Sequence, residues 1–255
     1  MSESKSLTQV SASLTAPSWI QKGDDRGTTH LTKADLQMPR LALAQPLSPQ
    51  VQETDSKWIE GLKPGDMFNS LTGQSFGRGP IYFTVVRADR PRGIEFYPLS
   101  DGGGIKDFNV PANDPRMSFG DRGEKPLATL FYDYVVLLID PRTSEMEPIA
   151  LSFKSSALKV ARALNALMKL RQAPSFAGLY ELTTAMEKNN KGTYAVYRVR
   201  NAPIGIDDSP IGWASERIYK YAEGLFDAIK DRVLVVDRES ESPVEGEIVD
   251  SEVPF

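Results

Sequence analysis

From Leu127 to Arg200 the chain sets out two long β runs, one amphipathic helix and two further β runs in succession. That order leaves few folds open to it. The run Leu127–Ile139 is dense in the β-branched and aromatic residues that suit a pleated surface. A Pro-Arg-Thr-Ser turn at 141–144 leads into a second run, Pro148–Phe153. Ser155 or Ser156 is placed to cap a helix from Ala157 to about Arg171. On a wheel of about 100° per residue, Val160, Ala161, Ala163, Leu164, Leu167, Met168 and Leu170 share one broad arc. Arg162, Asn165 and Lys169 lie opposite, with Lys159 at the edge. The runs Leu179–Met186 and Thr193–Arg200 follow, joined by Lys188-Asn-Asn-Lys-Gly192. Asn and Gly accept positive φ, so this segment is a strong hairpin signal.

Upstream, Met67–Gly73 reads as a short strand and a turn, and Ile81–Ala88 as a strand. The turn Asp89-Arg-Pro-Arg-Gly93 predicts a hairpin between Ile81–Ala88 and Ile94–Leu99. Residues 101–126 are rich in Gly, Pro, Asn and Asp and read as loop. A final helix is predicted from Gly212 to about Asp231, burying Ile218, Tyr221, Ala222, Leu225, Phe226 and Ile229. The fold class expected is mainly β with helices (α+β). An OB-fold-like five-stranded barrel with insertions matches the order, because its helix lies between the third and fourth strands. A generic α+β sheet fits the same pattern. Residues 1–37 read as a flexible N-terminal arm, 38–232 as the binding domain and 233–255 as an acidic disordered tail.

The residue inventory removes most catalytic chemistry. Cysteine is absent, which excludes disulfides, thiolate nucleophiles and Cys-based zinc sites and suits a cytoplasmic setting. The one histidine, His30, stands in a polar segment of the arm. Gly77-Arg-Gly79 and Gly102-Gly-Gly104 lack the Lys-Ser/Thr that completes a phosphate loop. The expectation is no enzyme, no metal and no cofactor. No run of 18 apolar residues is present to span a membrane.

Charge is segregated along the chain. The overall −4 hides a tail, residues 237–255, with seven acids against one base, so the body before it carries +2. The tail ends in Asp250-Ser-Glu252-Val253-Pro254-Phe255. The Phe ring suits an apolar pocket, its carboxylate and the acids suit Lys or Arg at a pocket rim, and Pro254 limits the backbone freedom lost on docking. Asp250, Glu252, Val253, Pro254 and Phe255 are therefore the candidate partner-binding residues.

Aromatic rings for base stacking and cations for the phosphate track are interleaved through the body, as binding to single strands requires. The candidate contacts are Arg78, Tyr82, Arg87, Arg90, Arg92 and Phe96 upstream; Tyr132, Tyr134 and Lys154 on the central runs; Lys159, Arg162 and Lys169 on the helix; and Tyr194, Tyr197, Arg198 and Arg200 on the last strand. Alternation puts Tyr194, Val196, Arg198 and Arg200 on one face of that strand and Ala195, Tyr197 and Val199 on the other. Taken singly, a strand aromatic packs in a core more often than it stacks on a base, and a strand Arg guards an edge. The combination points to a contact surface.

The tip resembles the C-terminal end of bacterial and phage single-stranded DNA-binding proteins, an acidic run followed by Ile-Pro-Phe or a close variant. The stretches Met38–Pro49, Gly61–Gly73, Phe131–Leu138 and Pro148–Ser156 are similar to phage proteins of that kind. The resemblance implies an OB-type fold, sequence-tolerant binding and protection of single strands, and a tip that recruits a replication or recombination protein such as a polymerase, helicase or nuclease. It departs from the pattern at Ser251, which interrupts the acids, and in lacking a Gly/Gln-rich linker. Two other roles fit the same residues: a strand-annealing recombination protein, and a virion or scaffold protein with a docking tail that binds no DNA. The sequence leaves a homo-oligomer open in each case.

Overall fold

A computed structural model describes residues 38–230, apart from residues 102, 122 and 191 and the side chain at Leu99. The predicted arm 1–37, the tail 233–255 and its five candidate partner-binding residues lie outside the described residues. Ten strands and two helices are described: β1 (Arg40–Leu43), β2 (Met67–Asn69), β3 (Ser75–Gly77), β4 (Ile81–Ala88), β5 (Arg92–Phe96), β6 (Ile105–Val110), β7 (Ala128–Ile139), β8 (Met146–Lys154), α1 (Leu158–Leu170), β9 (Tyr180–Asn189), β10 (Gly192–Asn201) and α2 (Glu216–Ile229). The domain is mainly β with two helices, as the sequence predicts.

All ten strands join one sheet. Eight follow the path β10-β9-β4-β7-β8-β1-β2-β3, and β5 and β6 branch from β7. The predicted hairpin 179–200 forms, with Gly192 at φ 139° where β10 leaves the turn. Neighbours on the path pair antiparallel except β1 and β8, which run parallel. The sheet curls, and hydrogen bonds tie β9 and β10 back to its opposite side. Gln45, just after β1, donates from Nε2 to the carbonyl of Ala195 at 3.0 Å, and the Ala195 N–H donates back to Gln45 Oε1 at 2.9 Å. Further along, the Thr184 N–H of β9 reaches the Arg78 carbonyl at 3.0 Å.

The two faces of the curl hold separate cores, and each takes one helix. Phe83 and Val85 of β4, with Tyr134 and Val136 of β7, pack inward with Phe153, Tyr180, Tyr197 and α1's Val160, Ala161 and Leu164. On the outer face Val86, Val135 and Leu137 pack with Phe176 and α2's Ala222 and Ile229. Strand alternation produces this division, and each fully buried side chain contributes roughly 2 kcal/mol. The buried side of each helix is narrower than its wheel predicts: Ala163 and Leu170 of α1 and Tyr221 of α2 are exposed. Neither serine caps α1; Ser155 takes a positive φ of 47° in the preceding turn, and the cap position is Ala157. At α2 a serine does cap, with Ser215 Oγ accepting the Ile218 N–H at 3.3 Å.

Two further local predictions are corrected. β4 and β5 do not form a hairpin; both pair with β7, Ala88 opposite Tyr134 and Arg92 opposite Phe131. They are two lengths of one broken strand. Pro91 has no N–H to give the ladder, so the chain leaves the β7 edge at Arg90-Pro91 and rejoins it at Arg92. The predicted loop 101–126 contains β6, which pairs with β5.

Candidate functional site

The break between β4 and β5 opens a cleft of about 820 Å³. Its walls come from residues 87–92, residues 109–112 at the end of β6 and beyond, and Phe226 and Lys230 at the end of α2. Four lining residues are cationic (Arg87, Arg90, Arg92 and Lys230) and one, Asp89, is acidic. In an unbroken strand Arg90 and Arg92 would share a face and Arg87 would point to the other. A bulge in β4 between Val85 and Arg87 and the Pro91 interruption bring all three to one opening.

Each cation is held differently. Arg87 pairs with Asp89 at 2.8 Å and donates to the carbonyl of Ile229, which joins β4 to the end of α2. Arg92 donates twice to Asp133 Oδ2, at 3.1 and 3.2 Å. Lys230 pairs with Asp227 at 3.1 Å. Arg90 is exposed and makes no ion pair among the described residues. The Arg92 guanidinium also lies over the ring of Phe108, 5.4 Å from its centroid, and that residue is 52% exposed. A half-bare aromatic beside a cluster of guanidinium groups offers both contacts a single strand needs, a stacking face and a phosphate partner.

The hairpin β5–β6 that carries Phe108 is braced by charge. Glu95 is buried, and its carboxylate accepts from Lys106 at 2.6 Å and from Arg116 at 2.8 Å. Arg116 also binds Asp107 at 3.0 Å and Asp114 at 2.9 Å. Donation by Lys106 and then Arg116 holds the Glu95 carboxyl below its ordinary range, and the Arg116 side chain takes Asp114 down to about 2. The same insertion exposes Tyr97, Ile105 and Phe119.

The structure separates the sequence-predicted contacts. Arg87, Arg90 and Arg92 meet at the cleft, and Phe96 packs near them against Phe131 at 6.3 Å. Lys159, Arg162 and Lys169 are exposed together on α1. Tyr82, Tyr134 and Tyr197, expected on a contact surface, are core residues instead. Tyr82 packs with Leu179, Ala202 and Ile218. Tyr134 donates to Asn165 Oδ1 at 2.9 Å, and Tyr197 meets Phe153 edge to face at 5.4 Å. Burial raises the pKa of the Tyr82 and Tyr134 phenols. Tyr132 is half-buried against the inner core.

The predicted Tyr-Arg face of β10 reaches solvent, but acids on β9 answer its charge. Arg198 pairs with Glu187 at 3.1 Å and Arg200 with the buried Glu181 at 2.7 Å, while Tyr194 donates to Glu187 at 3.3 Å. Arg78 donates to the Pro64 carbonyl at 3.0 Å, and Lys154 sits 5.8 Å over the Phe131 ring. Two residues of the site, Phe108 on the hairpin beside the cleft and Lys230 in its lining, are not among the sequence-predicted contacts. The Gly, Pro and Asn around Phe108 mask the strand-like spacing of Ile105–Val110, and only the packing of α2 against β4 brings Lys230 to the cleft.

These features define a mainly β domain with a basic cleft at a broken strand and a charge-braced aromatic hairpin beside it. Residues 8–234 match the family described as Pam3 phage gp34-like protein, and the chain belongs to that phage family. No curated protein and no solved structure matches the chain. Among the described residues no helix is long and apolar enough to cross a membrane.

Proposed function

We propose that the chain binds single-stranded DNA without sequence preference through the cleft and the β5–β6 hairpin. The observation that carries this reading is the meeting of Arg87, Arg90, Arg92 and Lys230 at one opening, with Phe108 half-exposed under the Arg92 guanidinium. Phosphates would lie against the cations, and a base would stack on the ring.

Topology supports the same reading. Taken in chain order, β4, β7, β8, β9 and β10 are five strands with α1 between the third and fourth, the helix position of an OB barrel. On that reading β1–β3 are additions to the barrel, and β5–β6 fills the connection between its first and second strands. That connection is one of the loops with which OB folds hold oligonucleotides. The tip Asp250–Phe255 would serve recruitment of a replication or recombination protein.

Fluorescence anisotropy with labelled mixed-sequence oligonucleotides tests the proposal. Single strands should bind at least about tenfold more tightly than duplex, and Phe108→Ala should weaken that binding by roughly tenfold, within the range for one stacked base. Equal affinity for duplex, or no binding at low salt, would overturn it. Removal of residues 250–255 should leave DNA binding intact and abolish capture of the recruited protein.

A further inference from the structure

We infer that the exposed face of α1 is a second polyanion-binding surface, so that one chain holds two single strands at once, one in the cleft and one along α1. The inference rests on the single-strand reading of the cleft and adds a site and a consequence to it.

α1 contains no Asp or Glu in its 13 residues. Its exposed side presents Lys159, Arg162 and Lys169, separated by the small, exposed Ala163 and Ala166. At about 100° and 1.5 Å per residue these cations fall within roughly 80° of arc and span about 15 Å. A strand could therefore approach closely between them. Arg162 and Lys169 have no ion-pair partner among the described residues, and the acid nearest Lys159 is Glu187 at 4.0 Å, already paired with Arg198.

An ordinary solvated helix face mixes both signs and pairs them along the helix. α2 does so: Lys220 pairs with Glu216 and, at its end, Lys230 with Asp227. The one-signed face of α1 is the exception within the same domain. It is also remote from the cleft in the sense that matters for occupancy. α1 packs on the inner face of β4 and β7, through Val85 and Val136, while α2, whose end lines the cleft, packs on the outer face through Val86 and Val135. A strand short enough to fill one surface leaves the other open. Two surfaces on opposite faces would bring two strands onto one chain and raise their local concentration for pairing.

Native mass spectrometry with excess oligothymidine of roughly eight nucleotides, within the footprint range of one OB fold, tests this by counting strands per chain. The wild-type chain should carry two. The triple variant Lys159→Gln/Arg162→Gln/Lys169→Gln should carry one, keep its first-strand affinity within about twofold, and pair complementary strands at least about tenfold more slowly. Lys159 and Lys169 in the wild-type chain should become protected from chemical acetylation only with the second equivalent of strand, a measurement that does not depend on the variant's folding. Wild-type saturation at one strand per chain, two strands on the triple variant, or unprotected lysines would overturn the inference while leaving single-strand binding in place. Loss of the first strand in the triple variant would also overturn it, by moving the primary site to α1. No binding at all by the wild-type chain would remove the underlying reading as well.

Discussion

Arg92 donates from both Nε and Nη2 to one oxygen of Asp133, whose side chain is 6% exposed, while Ser152 Oγ donates to the other oxygen at 2.7 Å. A near-buried carboxylate is thus satisfied from two strands, and the cleft's central arginine is fixed in place by it. Arg92→Ala should destabilise the domain by about 3 kcal/mol, at the low end for opening a buried pair because Ser152 still donates. Urea denaturation of the two proteins measures the difference, and a cost below about 1 kcal/mol would mean that the pair behaves as a surface one.

Glu147 offers a stability test of opposite sign. Burial raises its pKa, against the opposing effect of Asn69, which donates to Oε1 at 2.9 Å. A carboxyl with a raised folded-state pKa contributes stability that is present below its unfolded pKa and lost as pH rises through the folded one. Glu147→Gln removes that loss and keeps an oxygen for Asn69. Its melting temperature should exceed wild type at pH 7, and the gain should shrink toward zero by about pH 4. A constant difference across that range would show that charge is not its cause.

The strand-helix-strand order from Leu127 to Arg200 is legible in the sequence because each element there carries its own period and its own turn. The cleft is legible only in part. Arg87, Arg90 and Arg92 stand out as cations, but Pro91 has the look of a hairpin turn when its effect is to break one strand along β7. Tyr134 and Tyr197 mislead for a related reason. Alternation tells which residues share a face, but the packing of α1 and β1 decides which face is core. The Glu187 and Glu181 pairings that neutralise β10 depend on hairpin register, which places Glu187 opposite Tyr194 and Glu181 opposite Arg200.

Arg116 holds three carboxylates of the β5–β6 insertion, so Arg116→Ala should loosen that insertion while sparing the sheet. Hydrogen exchange at pH 7 should quicken by about tenfold or more in residues 92–117, an opening of local rather than global extent, with β7–β10 unchanged. Acid should act in the same direction. Asp114 and Glu95 have lowered pKa values, so what they contribute is present at neutral pH and lost as pH falls, for Asp114 toward about 2. Exchange that quickens equally across the whole domain would contradict a local brace.

Gly93 lies where β5 runs close to Met117 and Val110, and a methyl group there would collide with the Met117 sulfur and press tightly on Val110. Gly93→Ala should cost about 1–3 kcal/mol, the range for overpacking a tight site. If Phe108 and Arg92 act together in binding, the same variant should also weaken single-strand affinity at temperatures where it is fully folded, because the displaced hairpin carries the stacking ring. Anisotropy well below the melting transition separates the two effects, and unchanged affinity there would detach the ring from binding.

Salt dependence addresses the cleft most directly. A strand that releases counterions from Z phosphates gives a log–log slope near −0.7Z, so engagement of the four cleft cations with a short strand should give a slope of about −3. The cations are not equivalent. Arg87 and Arg92 already face Asp89 and Asp133, whereas Arg90 has no ion pair among the described residues. Arg90→Ala should therefore flatten the slope by about 0.7 and weaken binding uniformly across sequences. Asp89→Asn should act the other way, strengthening binding at low salt by removing the acid that lines the cleft. A slope unchanged by Arg90→Ala, with affinity also unchanged, would place the strand outside the cleft; weakening confined to particular sequences would point to base readout in place of a phosphate track.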